Sequence, residues 1–312
     1  MLNLLGGGGN KGNQLIQLGG SLNSLAGTLT PLCVGMLIGT VTKSTSMTDV
    51  APLLWIAFGV FVLAFIVIAC VRIPEPNLGK NVQKQQGKSK YSAWSFRHTV
   101  LGVIAIFFYV GIEVGIPGVL IFWLSSLDIP NATATAGGVA AVYWLLMLVG
   151  RLSSSAISGK VSSRTQLITV SSVAIVLVLL AIFMPDTIRV SVPAYSAESG
   201  FTMAQVPISA LFLVLCGLCT SVMWGSIFNL AVEGLGKYTA QASGIFMMMV
   251  VGGGVMPLIQ EAIANKVSYM ASYWLVIAML AYILYYALVG SRNVNKDIPV
   301  NDVNEDAGLN VV

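Results

Sequence analysis

The sequence predicts an all-α membrane protein with about eight transmembrane helices, and three observations carry that prediction. Of 312 residues, 56% are hydrophobic and only 9% charged, and the mean hydropathy is +0.85; a soluble domain carries about 25% charged residues. The apolar residues gather into runs at 13–41, 51–71, 99–126, 133–150, 166–184, 207–232, 239–262 and 270–290. Each reaches or approaches the ~20 residues that a spanning helix needs, and none shows the alternating ~10-residue pattern of an outer-membrane barrel.

Taken in order, the first two runs form a unit at 1–71 that ends before Pro74 and Pro76, residues that stop helices. The stretch 72–98, "RIPEPNLGKNVQKQQGKSKYSAWSFRH", is basic and Gln-rich and reads as a solvated cytoplasmic linker. Six runs follow over 99–290, and six spans splitting as three plus three match one half of a two-bundle carrier. The outer loop 185–206 has too little apolar content to be a domain, and the acidic tail 291–312 reads as disordered.

Orientation follows from the cations. With the amino terminus inside, the inner segments collect all but Lys43, Arg189 and Lys266 of the 16 lysines and arginines. Both termini are then cytoplasmic, in the plasma membrane (the inner membrane of a bacterium). The net charge of +4 is a topology signal and not a nucleic-acid surface, so the expected surroundings are a lipid bilayer and no nucleic acid. "MLNLLGGGGNKGN" lacks the features of a signal peptide.

Several motifs fail their chemical tests. "GGGGNKG" at 6–12 has no following G-K-[ST] and no preceding strand, so it is a flexible loop rather than a phosphate cradle. Cys216 and Cys219 form a C-x-x-C on an apolar helix without further ligands and read as small core residues. His98 is the single histidine. No carboxylate pair has metal-ligand spacing, and no nucleophile constellation shares a layer. Neither a catalytic residue, a metal site nor a cofactor is expected, and a polytopic membrane enzyme is the weaker reading.

The position that demands explanation is Glu113 in "YVGIEVGIPG", about midway between Arg97 and Asp128 and on the order of 20 Å of helix from either. Burying a carboxylate there costs a few kcal/mol even on lenient insertion scales, so it must face a polar cavity, a partner or a proton. On a helix Tyr109, Glu113, Pro117 and Leu120 share one face, and Gly111, Gly115 and Gly118 permit bending.

The stretch 223–260, "MWGSIFNLAVEGLGKYTAQASGIFMMMVVGGGVMPLIQ", resembles the tenth and eleventh helices of the fucose/glucose–galactose symporter family of the major facilitator superfamily. That family's pattern runs approximately I-F-x-L-A-x-x-G-L-G-x-x-T-x-x-S-G, then V-G-G-G/A, P-L and Q. "SLNSLAGTLTPL" (21–32), "YVGIEV" (109–114) and "YWLLMLVGR" (143–151) resemble its fifth, seventh and eighth helices. The loop "GRLSSSAISGKVSSR" (150–164) resembles the superfamily's inter-helix gate, with Gly150, Arg151, Gly159, Lys160 and Arg164 as its glycines and cations. Two positions depart from the pattern: Gly20 stands where a Gln is common, and Phe122 where the residue is often polar.

The resemblance implies a major-facilitator-type bundle made of helices five to twelve: a complete carboxy-terminal six-helix bundle and two helices of the amino-terminal one. It implies cation-coupled symport of a hexose or related sugar by alternating access, with H⁺ or Na⁺ as coupling ion and the chain monomeric. Because the family's first four helices have no counterpart, it also implies a fragment, and a transport-inactive remnant is the alternative function. Sugars need two-way hydrogen bonding from amides and flat aromatic faces. The candidate substrate contacts are Glu113, Tyr109, Tyr143, Trp144, Trp224, Asn229, Asn23 and Gln260; the last two match family positions, and Glu113 is also the candidate for cation coupling.

Overall fold

The computed structural model describes residues 9–38, 46–70, 91–129, 132–196, 200–295 and 297–300. All eight apolar runs are helical. They form α1 (Gly9–Ile38), α2 (Met47–Cys70), α3 (Arg97–Ser125), α4 (Ala132–Ser158), α5 (Ser163–Phe183), α6 (Ile208–Val232), α7 (Thr239–Met248), α8 (Gly252–Lys266) and α9 (Tyr269–Tyr285). The seventh run is broken into α7 and α8 by a 3₁₀ turn at Met249–Val251. The last continues from α9 into a π-type turn, Tyr286–Gly290. Among the described residues, seven stretches are long and apolar enough to cross a membrane, counting α7 and α8 together.

The eighth helix, α1, is long enough, at 30 residues or about 45 Å, but more polar. Its polarity is one-sided. Asn13, Gln17, Ser21 and Ser24, spaced at four, four and three residues, are buried against α4 and α6, while Leu18, Leu22, Leu25 and Leu29 point outward and are exposed. A water-soluble helix buries its apolar stripe; α1 does the reverse, as a helix surrounded by lipid does. The most apolar window of α2 is wholly unburied, with Trp55, Phe61 and Phe65 outermost.

The core lies between α3, α4, α6 and α9. Helices in lipid gain little from apolar burial and associate by close packing, which small residues permit. A Cβ added to Gly252 would lie 2.0 Å from the Phe107 carbonyl oxygen, so α8 touches the backbone of α3. A Cβ on Gly217 would lie 2.4 Å from the Tyr143 carbonyl oxygen, so α6 touches α4 in the same way. Tyrosine hydroxyls add fixed points: Tyr273 donates to Ile116 O (3.1 Å) and Tyr282 to Leu101 O (3.1 Å).

Four expectations change. The outer loop holds an antiparallel hairpin, β1 (Arg189–Ser196) with β2 (Gly200–Pro207), paired from Arg189↔Pro207 to Ser196↔Gly200. Its period-two pattern buries Val192 and Val206 and exposes Ser191 and Gln205. Helix α4 extends eight residues beyond the apolar run, so Gly150 and Arg151 are helical and the connection to α5 shrinks to 159–162. It continues because buried Ser154 and Ser158 both donate to the Gln166 side-chain oxygen (3.2 and 3.1 Å), which satisfies polar groups a lipid-facing helix could not carry.

The end of the linker is packed, not solvated: Ala93, Phe96 and His98 are fully buried, and Ala93–Ser95 forms a 3₁₀ turn. Residues 72–90 lie outside the described residues. In the tail, the described residues 291–295 and 297–300 return to the bundle, with Ile298 and Val300 packed onto the core, while 296 and 301–312 lie outside the described residues.

Gly252→Ala drives a methyl group into a backbone carbonyl, an overpacking worth about 1–3 kcal/mol, and lowers the detergent-solubilised melting temperature by several degrees. Gly254, with nothing within 4 Å of its added Cβ, accepts alanine without loss. Equal melting temperatures for Gly252→Ala and wild type would contradict the α3–α8 contact.

Candidate functional site

Glu113 lies about 24 Å along α3 from Arg97 at ~1.5 Å per residue. It is only 8% exposed, so a partner is obligatory. The partner is Arg151 on α4, 4% exposed, whose Nη2 donates to Glu113 Oε1 at 3.1 Å. The same nitrogen reaches Tyr109 Oη at 3.3 Å. Tyr109 is one turn before Glu113, so α3 presents phenol and carboxylate on one face to one guanidinium. The other arm, Nη1, donates to the Gly20 carbonyl oxygen of α1 at 2.6 Å. Arg151 therefore ties three helices together.

Gly20 makes this geometry available. An added Cβ would lie 3.4 Å from both Cδ and Nη1 of Arg151. A methyl group fits, but the longer Gln that the resemblance expects here would displace the guanidinium from the carbonyl. The half-buried Trp224 ring of α6 stands 6.0 Å from the Tyr109 ring, inclined at 57°, and completes an aromatic wall beside the ion pair.

The other sequence candidates make different contacts, some beside this cluster and some away from it. Gln260 is fully buried on α8, with its side-chain oxygen facing Gly115 and neither amide atom hydrogen-bonded. Gly115 is two residues from Glu113, about 200° around the helix, so Gln260 occupies the opposite flank of α3. Asn23 is exposed on α1, nearly one turn beyond Gly20. Asn229 sits near the end of α6 and donates to Ser163 Oγ at 2.9 Å, holding the start of α5. Tyr143 is fully buried with its hydroxyl 2.9 Å from Thr220 Oγ1, and Trp144 meets its ring edge-on at 5.6 Å. Tyr143 thereby joins α4 to α6, and it is near enough to Glu113, Tyr109 and Arg151 to interact with their charges and hydroxyl.

The gate residues divide similarly. Gly150 packs against Ser221 of α6. Gly159 and Lys160 are exposed in the turn. Arg164 donates to the carbonyls of Ala287 (2.9 Å) and Leu288, capping the end of α9. Arg151 is the correction: placed by sequence with the inner-loop cations, it is buried within α4. A long stem carries its head toward the carboxylate. The signal available in the sequence was that a mid-span acid requires a cation within reach.

A second polar cluster had no sequence signal. Gln17 Nε2 donates to Val222 O (2.9 Å), Asn13 Nδ2 to Ser158 Oγ (3.4 Å), and Ser155 Oγ to Gln14 O (3.2 Å). These bonds close α1 against α4 and α6 toward the ends where α4 stops and α1 starts. Among the described residues no group of three His, Cys, Asp or Glu side chains could hold a metal ion.

The sequence profile described as Major Facilitator Superfamily matches residues 16–257. The "Glucose/galactose transporter" of Brucella abortus is 31% identical over 277 residues, covering 88% of this chain and 62% of its own length. The "Putative glucose/galactose transporter" of Helicobacter pylori is 29% identical over 290 residues, with 87% and 64% covered. The chain thus spans less than two thirds of the length of these curated relatives. Among solved structures, the outward conformation of the transporter FucP superposes with a TM-score of 0.69 at 17% identity, covering 91% of this chain and 69% of that one. A second structure, of the E. coli fucose:proton symporter FucP, gives 0.70 at 17% identity. At that identity the likeness shows the fold.

Removing one partner of a buried ion pair strands the other and costs about 3–5 kcal/mol, whereas an apolar replacement of both is far milder. Glu113→Leu and Arg151→Met each lower the melting temperature of the purified protein, and the double variant melts above either single one. A double variant that falls by the sum of the two single losses would show that the pair is not coupled.

Proposed function

The chain belongs to the Major Facilitator Superfamily, and on that premise we propose that it acts in cation-coupled transport of a hexose-type sugar, with the Glu113–Arg151 pair at the substrate site. The superfamily is one of transporters rather than enzymes, and the multi-pass membrane character follows from the seven long apolar stretches. The sugar class is inferred from the relatives, which are named glucose/galactose transporters, and from the chemistry of the cluster.

The observation that carries the reading is the bridge from Glu113 through Arg151 to the Gly20 carbonyl. The ion pair cancels its own charge, which suits an uncharged substrate. Carboxylate and guanidinium both make charge-assisted hydrogen bonds with hydroxyl groups, and the ring faces of Trp224 and Tyr109 suit the C–H face of a sugar. Sugar hydroxyls that bind Glu113 and Arg151 compete with the Gly20 contact. Substrate arrival then loosens α1 from α4, which is the separation alternating access requires.

The coupling ion, H⁺ or Na⁺, acts at Glu113 in this reading, because its carboxylate is the acid in the cluster. The protein sits in the plasma membrane (a bacterium's inner membrane) with both termini cytoplasmic, and works as a monomer.

Two measurements test these statements. A cysteine replacing Arg189 reacts with a membrane-impermeant maleimide in intact cells, and one replacing Lys160 reacts only after permeabilisation; the reverse pattern would invert the topology. In proteoliposomes, wild-type protein accumulates labelled glucose, galactose or fucose, Glu113→Gln abolishes accumulation while remaining membrane-inserted, and Trp224→Ala raises the half-saturating concentration about tenfold, equivalent to ~1.4 kcal/mol. Wild-type accumulation by Glu113→Gln would refute the assignment. Sugar binding without uptake by wild type would refute transport.

A further inference from the structure

Near the inner ends of α3 and α6, the described tail residues 293–295 and 297–300 turn back onto the bundle. Three contacts define their path. Asn295 Oδ1 accepts the Arg97 N–H at 3.0 Å. That N–H belongs to the first turn of α3, where helix geometry leaves donors unpaired, and the residue at the cap position, Phe96, has no side-chain acceptor. Asn295 therefore caps α3 from the far end of the sequence, held in shape by its own N–H to Asn293 Oδ1 at 3.0 Å.

The second contact is with the α6–α7 loop. Lys237 N–H donates to Val300 O at 3.3 Å, and Ile298 and Val300 pack onto the core. The third is steric. Gly234 and Gly236 take positive φ values of 71° and 48°, and an added Cβ on Gly236 would lie 2.4 Å from Val300 O. On Gly234 it would lie 3.0 Å from Asn293 Nδ2. The loop "GLG" is thus shaped at both glycines to admit the returning chain.

What the tail holds down is a weakly packed element. Helix α7 has ten residues, of which only Ala242 and Phe246 are buried. Beyond it lie the 3₁₀ turn Met249–Val251, with no buried residue, and the run Gly252–Gly253–Gly254. A 3₁₀ stretch inside a longer helix followed by glycines is a place where a helix bends. The opposite end of α7 is fixed by the tail, by Gln241 Oε1 accepting from Ala93 N–H (2.9 Å), and by the Tyr238 ring against Phe96 (5.6 Å).

We propose that residues 293–295 and 297–300 act as a strap that clamps the α6–α7 loop and the start of α3, and that its release lets α7 swing about the 249–254 hinge to change access at the inner face. The clamp stands on the contacts alone; its effect on transport rests on the carrier reading above.

Amide hydrogen exchange in lipid nanodiscs tests it without any need for transport. The full chain is compared with a form ending after Arg292 and with Asn295→Ala, a milder change that keeps the strap present. Truncation speeds exchange at least tenfold in peptides covering 94–100 and 234–248, leaving 255–266 unchanged; Asn295→Ala affects 94–100 alone. Exchange within twofold of wild type in the truncated form overturns the proposal, and so does a change confined to 94–100, which would make the tail a cap and nothing more. If truncation frees α7 while the wild-type chain takes up no sugar, the strap stands and the carrier reading falls. In proteoliposomes the truncated form changes the uptake rate at least threefold; an unchanged rate with α7 freed would refute the link to access.

Discussion

The fold turns on a carboxylate and a guanidinium buried together. Placing Glu113 alone in the middle of a membrane helix is unfavourable by several kcal/mol, and so is burying Arg151. Each makes the other tolerable, and neither can move without stranding its partner. The constraint is geometric as well as energetic. Arg151 has one arm on α3 and the other on the α1 backbone, so the position of α1 is set by a charge that α3 demands. A helix pair closed by apolar packing alone would have no comparable reason to respond to a polar ligand.

The surrounding architecture follows from lipid as solvent. Helix α1 turns its amides and hydroxyls inward and its leucines outward. Large apolar side chains such as Ile112, Leu120 and Phe246 fill the interior, and glycines, serines and tyrosine hydroxyls add the close approaches and hydrogen bonds that hold the helices together, because apolar burial alone gives helices little advantage where the alternative is also hydrocarbon. The polar seal of Asn13, Gln17, Ser155 and Ser158 occupies one end of the α1–α4 contact, and the ion pair occupies its middle. The two together make that contact polar along much of its length, which suits surfaces that must part and rejoin.

The helices were legible because length and hydropathy are set by the bilayer, and every apolar run became a helix. The ends were not. Helix α4 outran its run because serines that look loop-forming are satisfied by Gln166, a partner brought by the fold. The hairpin at 189–207 was hidden in a segment read only for its lack of bulk, although the alternation of Val190 and Val192 with Ser191 was present. The ordered tail was hidden because Ile298 and Val300 are isolated apolar residues whose docking site is formed by distant glycines. Within the site, Glu113, Tyr109 and Trp224 were nominated from the sequence and are brought together. Arg151 was nominated for the wrong reason, since a cation near a helix end ordinarily marks the inner leaflet. Asn229 and Gln260 show the converse: being polar and near mid-span does not decide which flank of a helix a side chain occupies.

The proposed transport role depends on the ion pair lining a sugar site. A structure of the chain in lipid with sugar bound decides this most directly. The expected arrangement has the sugar ring against Trp224, with a hydroxyl oxygen within about 3.2 Å of a Glu113 or Arg151 side-chain atom and the Arg151–Gly20 contact lengthened. Sugar bound elsewhere, with the pair intact and sealed in dry packing, would contradict it.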